Sequence, residues 1–188
     1  MQVYENFLKY KDFKLIQHLF MGNKLPWYYN DGIAKGMNYE DEGPDGYQFV
    51  HSFFNVEIPF QCSSQKLYTF LDPVWTKLNP KYIVRVKANL RPRTEKHVVS
   101  NWHTDTELVQ AKTCIFYLNS NNGYTLFKDG TKVESVENRL VLFDSQIQHS
   151  GASCTDERKR VVLNINYVPV KLNGKEQFPE DHSINTAE

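Results

Sequence analysis

Apolar and polar residues alternate through residues 82–170, and strands can be read directly from the alternation. In YIVRVKANL, Val84, Val86, Ala88 and Leu90 interleave with Arg85, Lys87 and Asn89, the period of two that sends successive side chains to opposite faces of a sheet. Further short strands are predicted at 111–118, 124–127, 131–136, 139–143 and 160–168. Gly, Asn and Asp punctuate them around 119–123, 129–130, at Asn138 and at 150–151. Short alternating strands at this spacing predict a sandwich or jelly roll rather than a parallel sheet. Upstream the period lengthens. Phe13, Ile16, Leu19 and Phe20 recur at helical spacing behind Asp12, predicting a helix capped by Asp12 and ended near Gly22. A second helix is predicted from Ser63 or Ser64, with Leu67, Phe70, Leu71, Val74, Trp75 and Leu78 on one stripe and Pro73 kinking or restarting it.

The expected organisation is one compact domain: a flanking segment over 1–80, an all-β core over 81–170 and a polar tail over 171–188 that frays. The fold class is therefore α+β, an all-β core with helices outside it. Residues 29–48 are polar and rich in Gly and Asp, which predicts a long loop of the kind that carries function. Trp27, Tyr28 and Tyr29 either pack at its root or wall a substrate groove with it.

Composition narrows the possibilities. The 188 residues carry 22 Lys+Arg against 22 Asp+Glu, which argues against a dedicated nucleic-acid binder. No apolar run approaches the ~20 residues of a membrane span. The start, MQVYENFLKYKDF, lacks the apolar stretch of a secretion signal. Cys62, Cys114 and Cys154 are odd in number and far apart, which suits a reducing compartment. The expectation is a cytoplasmic protein without a membrane partner.

The informative residues are His103, Asp105 and His149. In NWHTDTE, His103 and Asp105 stand at i and i+2, so on an extended segment both project from the same face. His149 comes several strands later, in FDSQIQHSG, and a sheet that folds back on itself can return it to the other two. An isolated His-x-Asp recurs by chance, and His149 alone reads as a turn histidine. Together, two imidazoles and a carboxylate form the facial triad that holds non-haem Fe(II) and leaves positions open. Downstream, Arg160, Val162, Asn164 and Asn166 share one face of the last strong strand. A cation followed by amides is a poor core pattern and a good one for gripping a dicarboxylate, which guanidinium binds through two parallel hydrogen bonds.

These residues resemble the core of the 2-oxoglutarate and Fe(II)-dependent oxygenases, on the prolyl-4-hydroxylase-like side of that superfamily. The likeness is carried by HTD at 103–105, TCIFYLN at 113–119, GYTLF at 123–127, VLFDSQIQHSG at 141–151 and RVVLNINY at 160–167. It covers about half the chain. The resemblance implies a double-stranded β-helix with His103, Asp105 and His149 as both iron ligands and catalytic centre. It implies that Arg160 pairs with the distal carboxylate of 2-oxoglutarate and that Tyr117 hydrogen-bonds it, with Thr125 and Asn164 lining the cosubstrate pocket. The implied activity is hydroxylation of a small-molecule or peptide substrate, a prolyl or other amino-acid residue among them, by O2, with release of succinate and CO2.

Departures from the pattern stand beside it. Tyr124 replaces an acid of the family motif, and Asn89 and Leu90 stand where many relatives carry a tyrosine on the first core strand. The presence of Asp105 argues against the halogenases of the superfamily. Arg158 is a rival to Arg160, and His97 reads as a surface or gating residue. Lys77, Lys81, Arg85, Lys87, Arg91, Arg93 and Lys96, interrupted by Glu95, read as a solvated strand face or as a patch for an anionic substrate. Trp102 is expected in the core. The alternatives to a prolyl-type hydroxylase are an iron oxygenase acting on a nucleobase or small metabolite, and a jelly-roll module that binds metal without turnover.

Overall fold

The computed structural model describes residues 1–33, 43–56 and 69–179. Its strands are β1 (Gln2–Tyr4), β2 (Tyr28–Asn30), β3 (Gln48–Asn55), β4 (Pro80–Pro92), β5 (Lys112–Tyr117), β6 (Tyr124–Phe127), β7 (Lys132–Glu134), β8 (Leu140–Asp144), β9 (His149–Gly151), β10 (Lys159–Pro169), β11 (Lys171–Leu172) and β12 (Lys175–Glu176). Among the described residues two α-helices, α1 (Tyr10–Met21) and α2 (Asp72–Leu78), accompany them. A seven-stranded sheet runs in the order β1-β8-β5-β10-β4-β3-β2 and faces a three-stranded sheet, β7-β6-β9. The named pairings are antiparallel throughout. This is the jelly-roll architecture that the alternation predicts.

The central position of β10, between β4 and β5, explains its sequence. Covered on both faces, it carries apolar residues on the outer one, where Val161, Leu163, Ile165 and Tyr167 join a core with Val86, Ala88, Cys114, Phe116 and the helices. The helix α1 buries Phe13, Ile16, Leu19 and Phe20 there. Phe116, fully enclosed, meets Phe7 and Phe13 edge-to-face at centroid separations of 5.6 and 5.9 Å, a favoured aromatic geometry. A second cluster, Ile115, Tyr117, Phe127, Val133, Val141, Phe143 and Val162, fills the space between the two sheets. The large sheet is therefore braced on both sides by packed side chains.

Several local expectations change. Asp12 stands in the first turn of α1 rather than at its cap, which is Lys9 without a side-chain hydrogen bond; an acid there still complements the helix dipole. Ser63, Ser64 and Leu67 lie outside the described residues. The described part of the second helical stretch opens with a 3-10 turn at Thr69–Leu71 and becomes α2 at Asp72. Of the kink or restart expected at Pro73, the start of α2 there agrees with a restart. Pro73 sits at the helix start, where its missing N–H has no partner to lose. The predicted 29–48 loop begins and ends as strand: Tyr29 pairs with Phe49 and Asn30 with Gln48. Residues 34–42 of that loop lie outside the described residues. In the tail, Lys171 pairs with Glu176 in a two-stranded hairpin, and Phe178 packs against the core.

One turn ties the N-terminus to the barrel. Asn138 adopts φ 61°, donates through Nδ2 to the Leu8 carbonyl and accepts the Leu8 N–H on Oδ1, both at 2.9 Å. An amide side chain tolerates the left-handed conformation and supplies both bonds. Asn138→Ala is expected to lose about 2–4 kcal/mol, from the strained φ plus two unsatisfied buried groups. A lower denaturant midpoint at unchanged slope checks it.

Candidate active site

His103 and His149 face each other through an isolated antiparallel bridge, with backbone hydrogen bonds in both directions at 3.0 and 3.1 Å. The bridge puts the two rings 4.7 Å apart, centroid to centroid. Asp105, two residues beyond His103, sends Oδ2 to 3.6 Å from His149 Nε2. One donor atom from each of the three lies within 4.8 Å of the others. Each imidazole is oriented by the backbone: His103 Nδ1 is 2.9 Å from the Asn101 carbonyl and His149 Nδ1 is 3.1 Å from that of Ile147. With Nδ1 donating, both Nε2 lone pairs are free for a cation, the tautomer that metal-binding histidines take when their other nitrogen is so engaged. Burial first of all lowers the His149 pKa, favouring the neutral ligating form. Phe143 and Phe127 pack against its ring.

The carboxylate is held as tightly. Arg85 Nη2 donates to Asp105 Oδ1 at 2.6 Å, and Asn164 Nδ2 donates to Oδ2 at 2.9 Å. Burial by itself would raise the Asp105 pKa, but Arg85, then His149 and His103, outweigh it and hold the acid well below the usual carboxylate range. Two imidazoles and an ionised acid, oriented and enclosed on one side, fit a divalent transition metal.

Asn164 lies on the inner face of β10, and Arg160 lies two same-face positions earlier, roughly 13 Å away at ~3.3 Å per residue. Its guanidinium is enclosed, with 5% of the residue exposed. Nε donates to Ser135 Oγ at 2.8 Å and Nη2 to Thr125 Oγ1 at 3.2 Å, while the group lies over the Tyr117 ring at 5.6 Å. Tyr117 Oη donates to Thr125 Oγ1 at 2.8 Å. No carboxylate lies within ion-pairing distance of Arg160 among the described residues. Three residues singled out in the sequence thus meet, Tyr117, Thr125 and Arg160, at one end of the inner face, whereas Asn164, expected in the same pocket, sits beside the His–Asp–His cluster and bonds Asp105. Arg158 is exposed, and His97 turns Nδ1 to the Ser153 carbonyl, away from the cluster.

Gly123 is required by close approach. A Cβ built there would lie 2.7 Å from Arg160 Cδ, closer than real Cβ atoms come, and a tight 3.0 Å from the Ala152 carbonyl. Gly123→Ala is expected to push the Arg160 stem off its hydroxyl partners. The affinity for a dicarboxylate should fall about tenfold or more with metal affinity unchanged, as titration calorimetry would report.

Three residues at the site escaped the sequence reading in different ways. Ser135 gave no signal beyond the in–out alternation of β7, where Val133 is buried and its neighbours are exposed. Arg85 and Arg91 were visible only as part of a basic run. The structure corrects the solvated-face expectation for both: Arg85 pairs with Asp105, and Arg91, 3% exposed, donates to the Gly151 carbonyl at 2.8 Å. The strand face that carries them is the inner one, because Arg91 stands opposite Arg160 and Lys87 opposite Asn164 in the β4–β10 register. Trp102, expected in the core, is 37% exposed with the Lys128 ammonium over its ring.

No family model matches the sequence, and no curated protein matches it. Solved structures do. A prolyl hydroxylase from Trichoplax adhaerens, in complex with a hypoxia inducible factor peptide fragment, is similar with a TM-score of 0.57 and 13% identity, over 88% of this chain and 82% of that one. A 2OG-Fe(II) oxygenase family oxidoreductase from Burkholderia pseudomallei gives a TM-score of 0.55 and 9% identity, over 89% and 84%. HygX from Streptomyces hygroscopicus, with nickel and 2-oxoglutarate bound, gives 0.55 and 10%, over 96% and 91%. The chain therefore has the double-stranded β-helix fold of these oxygenase structures.

Proposed function

We propose that this protein is a 2-oxoglutarate- and Fe(II)-dependent oxygenase that hydroxylates a peptide or small-molecule substrate with release of succinate and CO2. One observation carries the reading: a single barrel interior holds a His–Asp–His cluster at one end and, along the same face of β10, an enclosed arginine with no acid to neutralise it among the described residues. A buried guanidinium ringed only by hydroxyls is a costly arrangement until an anion arrives. The structural neighbours support it, since HygX was solved with nickel and 2-oxoglutarate.

In this reading His103, Asp105 and His149 hold the iron, and the metal, when bound, supplies O2 activation coupled to cosubstrate decarboxylation. The chain's residues do the positioning. Arg160 binds the distal carboxylate through its fork, and the Tyr117 and Thr125 hydroxyls complete that shell. Asn164 and Arg85 fix the Asp105 carboxylate so that one oxygen faces the metal. Phe127 and Phe143 keep water from the His149 side. The substrate takes the open mouth; one neighbour holds a peptide and another hygromycin B. Buried free thiols at Cys114 and Cys154 suit the cytoplasm, where we place the protein. Among the described residues no helix is long and apolar enough to cross a membrane.

Anaerobic addition of Fe(II) and then 2-oxoglutarate should produce the visible charge-transfer absorption of a chelated 2-oxo acid. Admitting O2 should bleach it with formation of succinate. A protein that binds iron without that band is a metal-binding module and not the enzyme proposed.

A further inference from the structure

Lys87 is an inward-facing basic residue of β4 that neither the metal cluster nor the Arg160 shell uses. It stands between Arg85 and Asn89 along its strand, opposite Asn164 of β10 on one side and Ser52 of β3 on the other. That register puts it on the inner face, beside the Asp105 carboxylate, which Arg85 and Asn164 already occupy. No hydrogen bond or ion pair engages its ammonium among the described residues. Lys87 itself is half-buried, and Asn89 Oδ1 and Arg85 Nε, beside it on the strand, are enclosed without partners among the described residues. The inner face therefore carries Arg85, Lys87, Arg91 and Arg160 against Asp105, an excess of positive charge along its length.

The excess survives the cosubstrate. On the reading above, one carboxylate of 2-oxoglutarate goes to Arg160 and the other chelates the metal, which itself adds positive charge. Lys87 is left over at the level of Asn164, where the substrate must approach. Burial first, and then Arg85, pull its pKa down to about 8. It is thus cationic at neutral pH, at a cost that a bound anion would offset.

We propose that Lys87 is a specificity-determining residue that pairs with an acidic group of the primary substrate, so that the substrate class is a carboxylate- or phosphate-bearing molecule or an acidic peptide. The proposal rests on the oxygenase reading for what occupies the rest of the barrel. It gives the inward-facing basic strand a role that a solvated face would not have.

The test is a melting-temperature titration with sulfate, a tetrahedral dianion that ligates metals weakly, against chloride at constant ionic strength. The protein is loaded with Mn(II) and saturating 2-oxoglutarate, so the Arg160 site is filled. Wild type should show a saturable upward shift. In Lys87→Met that response should weaken at least tenfold in sulfate concentration, while the unliganded variant melts higher than wild type because an unneutralised cation has been removed. Lys87→Arg, which keeps the charge, should retain the response. Equal sulfate responses in wild type and Lys87→Met, or none in either, would overturn the assignment. So would a tenfold loss of 2-oxoglutarate affinity in Lys87→Met, which would make the cosubstrate's own carboxylate the partner. Failure of wild type to bind Mn(II) and 2-oxoglutarate would instead strike the oxygenase reading, and the sulfate titration of the metal-free protein would then judge Lys87 by itself.

Discussion

Asp105→Ala is expected to lose metal and stability together, whereas His103→Ala loses metal with only a small loss of stability. Both remove one donor of three, and metal affinity should fall by more than about 100-fold in each, since even supporting partners of metal ligands commonly cost 10–100-fold. Their effects on the unliganded fold differ. Asp105 takes hydrogen bonds from Arg85 and Asn164 with 4% of its side chain exposed, so its removal strands the Arg85 guanidinium. Breaking a fully buried pair costs about 3–5 kcal/mol, and the 17% exposure of the Arg85 side chain discounts this to about 2–3 kcal/mol. His103 is half-buried and bonds only through Nδ1 to the Asn101 carbonyl, so its truncation should cost about 1 kcal/mol. Equilibrium dialysis with Mn(II) reads the first effect and urea unfolding of the metal-free proteins the second. The double variant Asp105→Ala/Arg85→Met should recover most of the lost stability without recovering metal. If Asp105→Ala is as stable as His103→Ala, the Arg85 pair contributes nothing to the fold.

The second large effect concerns Arg160. Arg160→Ala should raise the dissociation constant for 2-oxoglutarate about 100-fold, equivalent to about 2.7 kcal/mol, within the range for truncating one partner of a buried hydrogen-bonded charge pair. Metal affinity should be unchanged, because Arg160 touches none of the three donors. Arg160→Lys should fall between, near tenfold, since an ammonium keeps the charge but lacks the planar fork that Ser135 and Thr125 hold in place. Calorimetric titration of the Mn(II) form separates the three proteins. An Arg160→Ala variant that binds 2-oxoglutarate like wild type would remove the cosubstrate from this pocket, and with it the central support of the proposed activity.

Much of this architecture was legible because its periodicity is local. The inner and outer faces of β10 follow from alternation alone, and the length of β6 was read to the residue. The jelly roll needed no more than a run of such strands. The edge strands were illegible for the same physical reason. Tyr28–Asn30 is three residues long, and QFVHSFFN in β3 places apolar groups on both faces with an irregularity between Ser52 and Phe54, so neither shows a clean period. At the site, the three donors could be named from residue type and from the family resemblance. What the chain could not disclose was which side of β4 faces inward. Val84, Val86 and Ala88 are obviously a buried face, and ordinary amphipathic logic sends Arg85, Lys87 and Arg91 to solvent. The barrel reverses that logic by wrapping a second sheet over the polar side. Only the register with Arg160 and Asn164 reveals it.

The facing backbones of His103 and His149 have a bearing on how the molecule assembles. That seam joins the segment before β5 to β9, far apart in sequence, and such long-range closures come late because their loop entropy must be met first. On the proposed function, an ion held by His103 and His149 would act as a removable clasp across that seam. Its binding draws on the same closure that finishes folding, so occupancy adds resistance to unfolding by mass action. The ion of the proposed function would then also be the last fastening of the barrel.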